Sequence, residues 1–358
     1  MTTAFDTLTF LHGPAMPNRL MLAPLTNQQS HDDGTLSDEE FRWLTMRATG
    51  GFGLTMTCAA HVQPVGQGFA GQLGAFSDDH LPGLTRLAAA LNSTGTVSYM
   101  QLHHAGNRAP AALVGTPVCP SDDPATGARA LTTGEVQQVV ADFVHAARRA
   151  QQAGFHGVEL HGAHGYLICQ FLSAELNQRT DHYGGSLENR SRLLFELVDR
   201  VRAECGDGLA LAVRLSPERF GMKIDEMTEV YARLVAGGKV DLIDMSLWDV
   251  DKQPVEERHQ GRTLTQVFAE LPRGQVRLGV AGKIHDPADV QRILDMGVDV
   301  AVLGRVGILH HDYPQRMRAD RAWIPRRPPA DPELLLAEGM SPRFIEYMRS
   351  NFKGFVAG

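Results

Sequence analysis

Eight short apolar runs, separated by stretches with helical periodicity, constrain this chain more than any other feature. They lie near Arg19–Leu25, Gly53–Ala59, Val97–Leu102, Gly157–His161, Ala210–Leu215, Asp241–Ser246, Val276–Val280 and Val300–Gly304. Several are almost continuously apolar (LMLAP, LALAVRL, VAVLG), as strands covered on both faces must be. Between them, Thr133–Ala153 places Val136, Val139, Val140, Phe143, Val144 and Ala147 on one helical face. Leu193–Ala203 repeats that spacing, and Asp286–Met296 opens on Asp-Pro and stops before Gly297. Repeated strand–helix alternation predicts an α/β fold, a single (β/α)₈ TIM barrel. An open Rossmann-type sheet is the runner-up, but the first run lacks the G-x-G-x-x-G turn that sheet needs. The barrel is expected over residues 1–310, with a hairpin around His12-Gly13-Pro14. Residues 311–358 read as an extension, Pro-rich over Ile324–Pro332 and helical over Pro342–Phe355. It is expected to pack on the barrel or on a neighbouring subunit, not to form a domain of its own.

Charge and cysteine usage exclude several classes. With 34 Lys and Arg against 41 Asp and Glu, and no basic run, the chain lacks an electrostatic footprint for nucleic acid. No apolar run reaches the length of a membrane-spanning helix, and the first residues do not read as a secretory signal. Cys58, Cys119, Cys169 and Cys205 are scattered without a C-x-x-C pair, which argues against structural zinc or an iron–sulfur cluster. Reduced thiols in the cytoplasm are the expectation. Small-molecule chemistry is expected, and homo-oligomer formation is left open.

In a barrel of this kind the C-terminal ends of the strands face the active site. Collected there are Ala23-Pro24-Leu25-Thr26, Ala59, Gln101, His161 to Tyr166, Arg214, Gly279 to Lys283, and Gly304-Arg305. The last two strands end in GVAGK and LGR, where barrels often hold a phosphate with backbone N–H groups. Gly282 and Gly304 permit close approach, and Lys283 and Arg305 add charge. Each glycine taken alone is equally a plain turn. Arg214 is either a solvated rim residue or a partner for an anion, and Gln101 offers a donor and an acceptor. The His161-x-x-His164 pair has three readings: metal ligation with Glu159, imidazole donors around an oxygen, or hydrogen-bonded core histidines. Tyr166 is a packed aromatic or a general acid.

The run HGVELHGAHGYLICQFLSAELNQRTDHYGGSLENRSR (His156–Arg192) resembles the signature region of the Old Yellow Enzyme family of FMN-dependent ene-reductases. NRLMLAPLT, GGFGL, QLHHAG, VRLSP, GVAGK and VLGR agree in order, so the resemblance spans roughly residues 5 to 310. It implies non-covalent FMN, with NADH or NADPH as reductant and ping-pong reduction of an activated C=C bond. Ala23, Pro24, Leu25, Thr26 and Ala59 would line the flavin, with Gln101 at its pyrimidine edge and Arg214 near N1 and O2. Gly282, Lys283, Gly304 and Arg305 would take the phosphate. His161 and His164 would grip the substrate's carbonyl or nitro oxygen, and Tyr166 would protonate the α-carbon.

Several positions depart from the family pattern. Cys58 stands where many relatives have Glu, Thr26 replaces a thiol used by one subgroup, and Asn107 precedes Arg108. Gln28 stands where some relatives present a Tyr to the substrate. All are expected around the pocket, where they bear on substrate range. Two rivals are a flavin dehydrogenase or oxidase of the same family with another substrate, and a metal-dependent hydrolase built on Glu159, His161 and His164.

Overall fold

Eight parallel strands close into a barrel in the computed structural model, which describes residues 2–358. They are β1 (Leu20–Leu22), β2 (Leu54–His61), β3 (Val97–His103), β4 (Gly157–Gly162), β5 (Ala210–Leu215), β6 (Leu242–Ser246), β7 (Arg277–Ala281) and β8 (Val300–Leu303). Each pairs with its sequence neighbour, and β1 closes on β8 with Leu20 opposite Ala301. β1 is shorter than its apolar run because Pro24 cannot donate to the ladder. β2 and β3 instead run on to His61 and His103, whose buried side chains conceal the strand ends in the sequence.

The helices between strands cover the outside of the barrel. Thr133–Ala153 opens on a capping box in which Thr132 accepts from Glu135 N, and it ends on Gly154 at φ +93°. Leu187–Cys205 starts ahead of Leu193 because its first turns are polar, although Arg190 there is buried against Glu226. Pro287–Asp295 follows the Asp286 cap. Short strands Val118–Cys119 and Arg129–Ala130 form a separate parallel pair in the excursion after β3.

Inside the barrel, side chains alternate between the lumen and the outer layer. Towards the N-terminal ends of the strands the lumen is apolar, with Met21, Leu54, Tyr99, Ala210, Leu242 and Val300 in one cluster. The N-terminal hairpin closes that end. Leu8 and Met16 exchange backbone hydrogen bonds of 3.0 and 2.8 Å and join the same cluster. Gly13, at φ +79°, approaches the barrel so closely that a Cβ would sit 3.3 Å from that of Ala210. One residue pair further along, the lumen turns polar: Tyr99 is followed by Gln101, Ala212 by Arg214, and Leu242 by Asp244. The lumen is thus sealed at one end and chemically active at the other.

β2 carries an irregularity that decides which side chains face inward. Met56 pairs with Tyr99 but Ala59 pairs with Gln101, so an extra residue is accommodated between them. The Thr57 hydroxyl accepts from Gln101 N at 3.2 Å and holds the bulge. Ala59 therefore faces the lumen, whereas Cys58 joins the outer core.

The C-terminal segment lies against the barrel. Phe344, on the helix Pro342–Asn351, meets Trp43 edge-on at 5.0 Å between ring centroids. That helix ends before Phe355, because the chain turns at Gly354 and returns to pair with Ala330. All four cysteines are free and buried, and no helix among the described residues is long and apolar enough to cross a membrane.

Candidate active site

A cavity of about 780 Å³ opens at the C-terminal ends of the strands. Ala23, Pro24, Leu25 and Thr26 form one wall, and Gly282, Lys283, Gly304 and Arg305 line the side over β7 and β8. Arg214 and His164 also reach it. Gln101 and His161 lie buried below the surface, and Ala59 is held opposite Gln101 by the bulge. Tyr166 lines an adjoining cavity of about 390 Å³ that shares His164, Ser246, Trp248 and Phe352 with the first. Gln28 lines neither cavity; its backbone, at φ +55°, packs near Gly71.

The floor is a buried charge cluster set by strand register. His161 stands opposite Arg214, Arg214 opposite Asp244, and Gln101 opposite Glu159. Arg214 Nε is 3.0 Å from Asp244 Oδ2, but the approach is too oblique for a hydrogen bond. Glu159 Oε1 accepts from Gln101 Nε2 at 2.7 Å, and its second oxygen has no partner. Burial, reinforced by Asp244, pushes the Glu159 carboxyl up to about 8. Burial also raises Asp244, with Arg214 opposing. The floor therefore presents one fixed cation beside carboxyls that resist ionising, with donor and acceptor capacity unspent. Buried, unpaired polar atoms at the base of a cavity fit a flat, heteroatom-rich cofactor with an anionic edge at Arg214.

Above the floor, β4 ends in a tight turn. His164 adopts φ +63°, a region L-residues enter at a cost of roughly 1–2 kcal/mol. This bends its ring back over the barrel. His161 Nε2 lies 2.8 Å from His164 Nδ1, and His164 Nε2 lies 2.7 Å from the Ser246 hydroxyl. Burial, then each other's proximity or that of Arg214, keeps both imidazoles well below the usual histidine range. Neutral rings can then form a relay in which each Nε2–H donates onwards, the tautomers being those the bonding requires. The Tyr166 ring stands edge-on to His161 at 5.1 Å, beneath the Arg108 guanidinium at 4.9 Å.

The phosphate side differs in its two glycines. A Cβ on Gly304 would meet nothing nearer than Leu25 Cδ2 at 3.8 Å, so the approach there is open. A Cβ on Gly282 would fall 2.7 Å from Asp249 N, so this glycine is required by the loop after β6. Lys283 is ion-paired to Asp249 at 2.8 Å, whereas Arg305 is exposed beside the open glycine. With the free N–H groups of the turn after β8, Gly304 and Arg305 fit a phosphate.

Sequence reasoning missed Ser246, Trp248 and Tyr347, which come from distant segments and carry no local motif. Two expected pocket departures prove to be structural. Cys58 packs outside the lumen, its thiol raised by burial and by Glu40 beside it. Asn107 bridges Asp123 at 2.8 Å and Gln170 at 2.7 Å, which leaves Arg108 to face the cavity. The metal-hydrolase constellation does not assemble: the two imidazoles face each other, and Glu159 turns to Gln101. Among the described residues, a group of acid and imidazole side chains that does converge is Asp225, Glu256 and His259, half-buried and sharing no member with Glu159, His161 and His164.

Comparison with known proteins agrees with this geometry. The model of the NADH:flavin oxidoreductase / NADH oxidase family matches residues 8–323. A probable NADH-dependent flavin oxidoreductase, YqiG of Bacillus subtilis, is 35% identical over 328 residues, 88% of each chain. An NADPH dehydrogenase of Listeria innocua is 36% identical over 301 residues, 81% of this chain and 87% of the other. Among solved structures, the Old Yellow Enzyme homologue from Zymomonas mobilis matches with a TM-score of 0.81 at 26% identity, covering 93% of this chain and 96% of its own. A sealed barrel with this polar floor and these relatives belongs to the NADH:flavin oxidoreductase / NADH oxidase family, the Old Yellow Enzyme group of FMN enzymes that draw on NADH or NADPH.

Proposed function

We propose that the enzyme reduces the activated C=C bond of α,β-unsaturated carbonyl or nitro compounds. The observation that carries this reading is the neutral His161–His164 pair, set beside Tyr166 and above the Arg214 floor. FMN, when bound, would supply the hydride for the alkene, with NADH or NADPH as its reductant in a separate half-reaction, so ping-pong kinetics are expected. Ala23, Pro24, Leu25, Thr26 and Ala59 would line that cofactor, with Gln101 and Arg214 at its pyrimidine edge. Gly304 and Arg305 would hold its phosphate, beside the loop that Gly282 and the Lys283–Asp249 pair shape.

The substrate's oxygen would displace two existing acceptors. His161 Nε2–H now faces His164 Nδ1, and His164 Nε2–H faces Ser246 Oγ; an incoming carbonyl oxygen can accept from both. Two fixed donors polarise the C=O and leave the β-carbon electron-poor, at no reorganisation of solvent. Tyr166 then passes its phenolic proton to the α-carbon. Such an enzyme suits the cytoplasm, in keeping with four buried unpaired thiols.

Rapid-mixing measurement of the two half-reactions tests the roles. Y166F should slow alkene reduction by about a hundredfold or more, the usual worth of a positioned general acid, while flavin reduction by NAD(P)H stays close to wild type. Equal loss in both half-reactions would remove Tyr166 from the proton path. A reduced enzyme inert towards every enone and nitroalkene tried would favour another family reaction.

A further inference from the structure

We propose that Arg108 and Arg219 form an anion subsite beside the histidine pair, and that the oxidant is an activated alkene carrying a carboxylate. This rests on the ene-reductase reading and names its substrate class. The adjoining cavity of about 390 Å³ is lined by both arginines together with His164 and Tyr166. Its acidic wall is already neutralised: Glu218 is ion-paired to Lys252. Lys283, which lines the larger cavity, is likewise answered by Asp249. Neither Arg108 nor Arg219 has a carboxylate within ion-pair distance among the described residues. In a chain of net charge −7, the mouth of the active site is left with cations to spare.

The two guanidiniums are held, not merely solvated. Arg108 donates to the backbone carbonyl of His164 and lies over the Tyr166 ring at 4.9 Å. Arg219 lies over Trp248 at 4.6 Å and over Phe220 at 5.3 Å. Stacking fixes each guanidinium plane and leaves its N–H edge for a planar oxyanion. Five of the six non-glycine residues with positive φ also lie on these two cavities: His164, Arg219, Phe220, Trp248 and Lys283. Left-handed backbone persists where the surrounding structure imposes it, and here it presents Arg219 and Trp248 to the vestibule. With the reacting carbonyl on His161 and His164, a carboxylate further along the substrate would reach the arginines. A keto-enoate has that shape.

A matched pair of substrates tests this on the FMN-loaded enzyme: 4-oxopent-2-enoate and its methyl ester, compared by kcat/KM in the oxidative half-reaction. The acid should be preferred by about tenfold or more, the worth of one charge-assisted pair. Added salt should erode the preference. R219Q should bring the acid-to-ester ratio close to one, and R219K should restore part of it. Equilibrium binding of 4-hydroxybenzoate against its methyl ester, followed by flavin absorbance, should show the same ratio and the same loss. Equal use of acid and ester by wild type, with both reduced, would overturn the subsite while leaving the ene-reductase reading intact. No reduction of either compound, nor of neutral enones, would strike the underlying reading instead. If R219Q keeps the acid-to-ester ratio but slows flavin reduction by NADPH, the arginines serve the nucleotide's phosphates and the substrate assignment falls.

Discussion

Replacing Glu159 by Gln probes the buried floor directly. Its carboxyl lies in the fold at about 8, against 4.5 ordinarily, chiefly through burial and then through Asp244. A carboxyl raised in this way binds its proton more tightly folded than unfolded. Its stabilising contribution is complete below the unfolded value and is lost as pH rises through about 8. Between about pH 5.5 and about pH 9 the loss comes to about 3 kcal/mol, at about 1.36 kcal/mol per pH unit over the interval where only the unfolded chain ionises. In E159Q the amide oxygen can still accept from Gln101, and nothing at that position titrates. Urea unfolding of the FMN-saturated proteins at the two pH values measures the difference. The variant should gain about 3 kcal/mol relative to wild type on going to the higher pH. A gap that does not change with pH, or that changes in favour of wild type, would refute the neutral-carboxyl reading of the floor.

Two further substitutions separate folding from binding. Gly304→Ala meets no atom closer than 3.8 Å, so the melting temperature should hold while FMN binds about tenfold more weakly, as fluorescence titration would report. Gly282→Ala would instead crowd Asp249 N at 2.7 Å and should lower the melting temperature with or without FMN; a pair of identical outcomes would contradict the distinction. At His164 the backbone favours Asn, which enters left-handed conformations readily and keeps an N–H donor. H164N should therefore bind phenolic ligands better than H164A, and equal weakening in a spectral titration would remove the donor role.

The barrel was legible because its strands are buried on both faces and read as continuous apolar runs. Gly282 over β7 was legible for a similar reason, since a turn crowded by another loop leaves a residue-type signature, whereas Gly304 over β8 is not crowded. Histidine spacing alone left three readings open at His161 and His164, and only the ring-to-ring bond together with Glu159's turn to Gln101 set metal ligation aside. Ser246, Trp248 and Tyr347 were hidden because sequence separation carries no record of which loops meet. The same is true of Lys283: its charge is visible in the chain, but the Asp249 that answers it lies on another loop. Cys58 and Asn107 were misjudged because strand parity and loop bonding are tertiary facts.

The bulge in β2 has a redox consequence. Had the strand kept its two-residue alternation from Leu54 and Met56, the next side chain turned into the lumen would be the Cys58 thiol. One accommodated residue reverses the parity, so a methyl group faces the lumen opposite Gln101 and the sulfur is shut away against Glu40. Ironing out the bulge with every residue kept, so that Cys58 took the place opposite Gln101, would aim an oxidisable atom into the lumen. The irregularity therefore acts as insulation, achieved by strand geometry with the cysteine left in place.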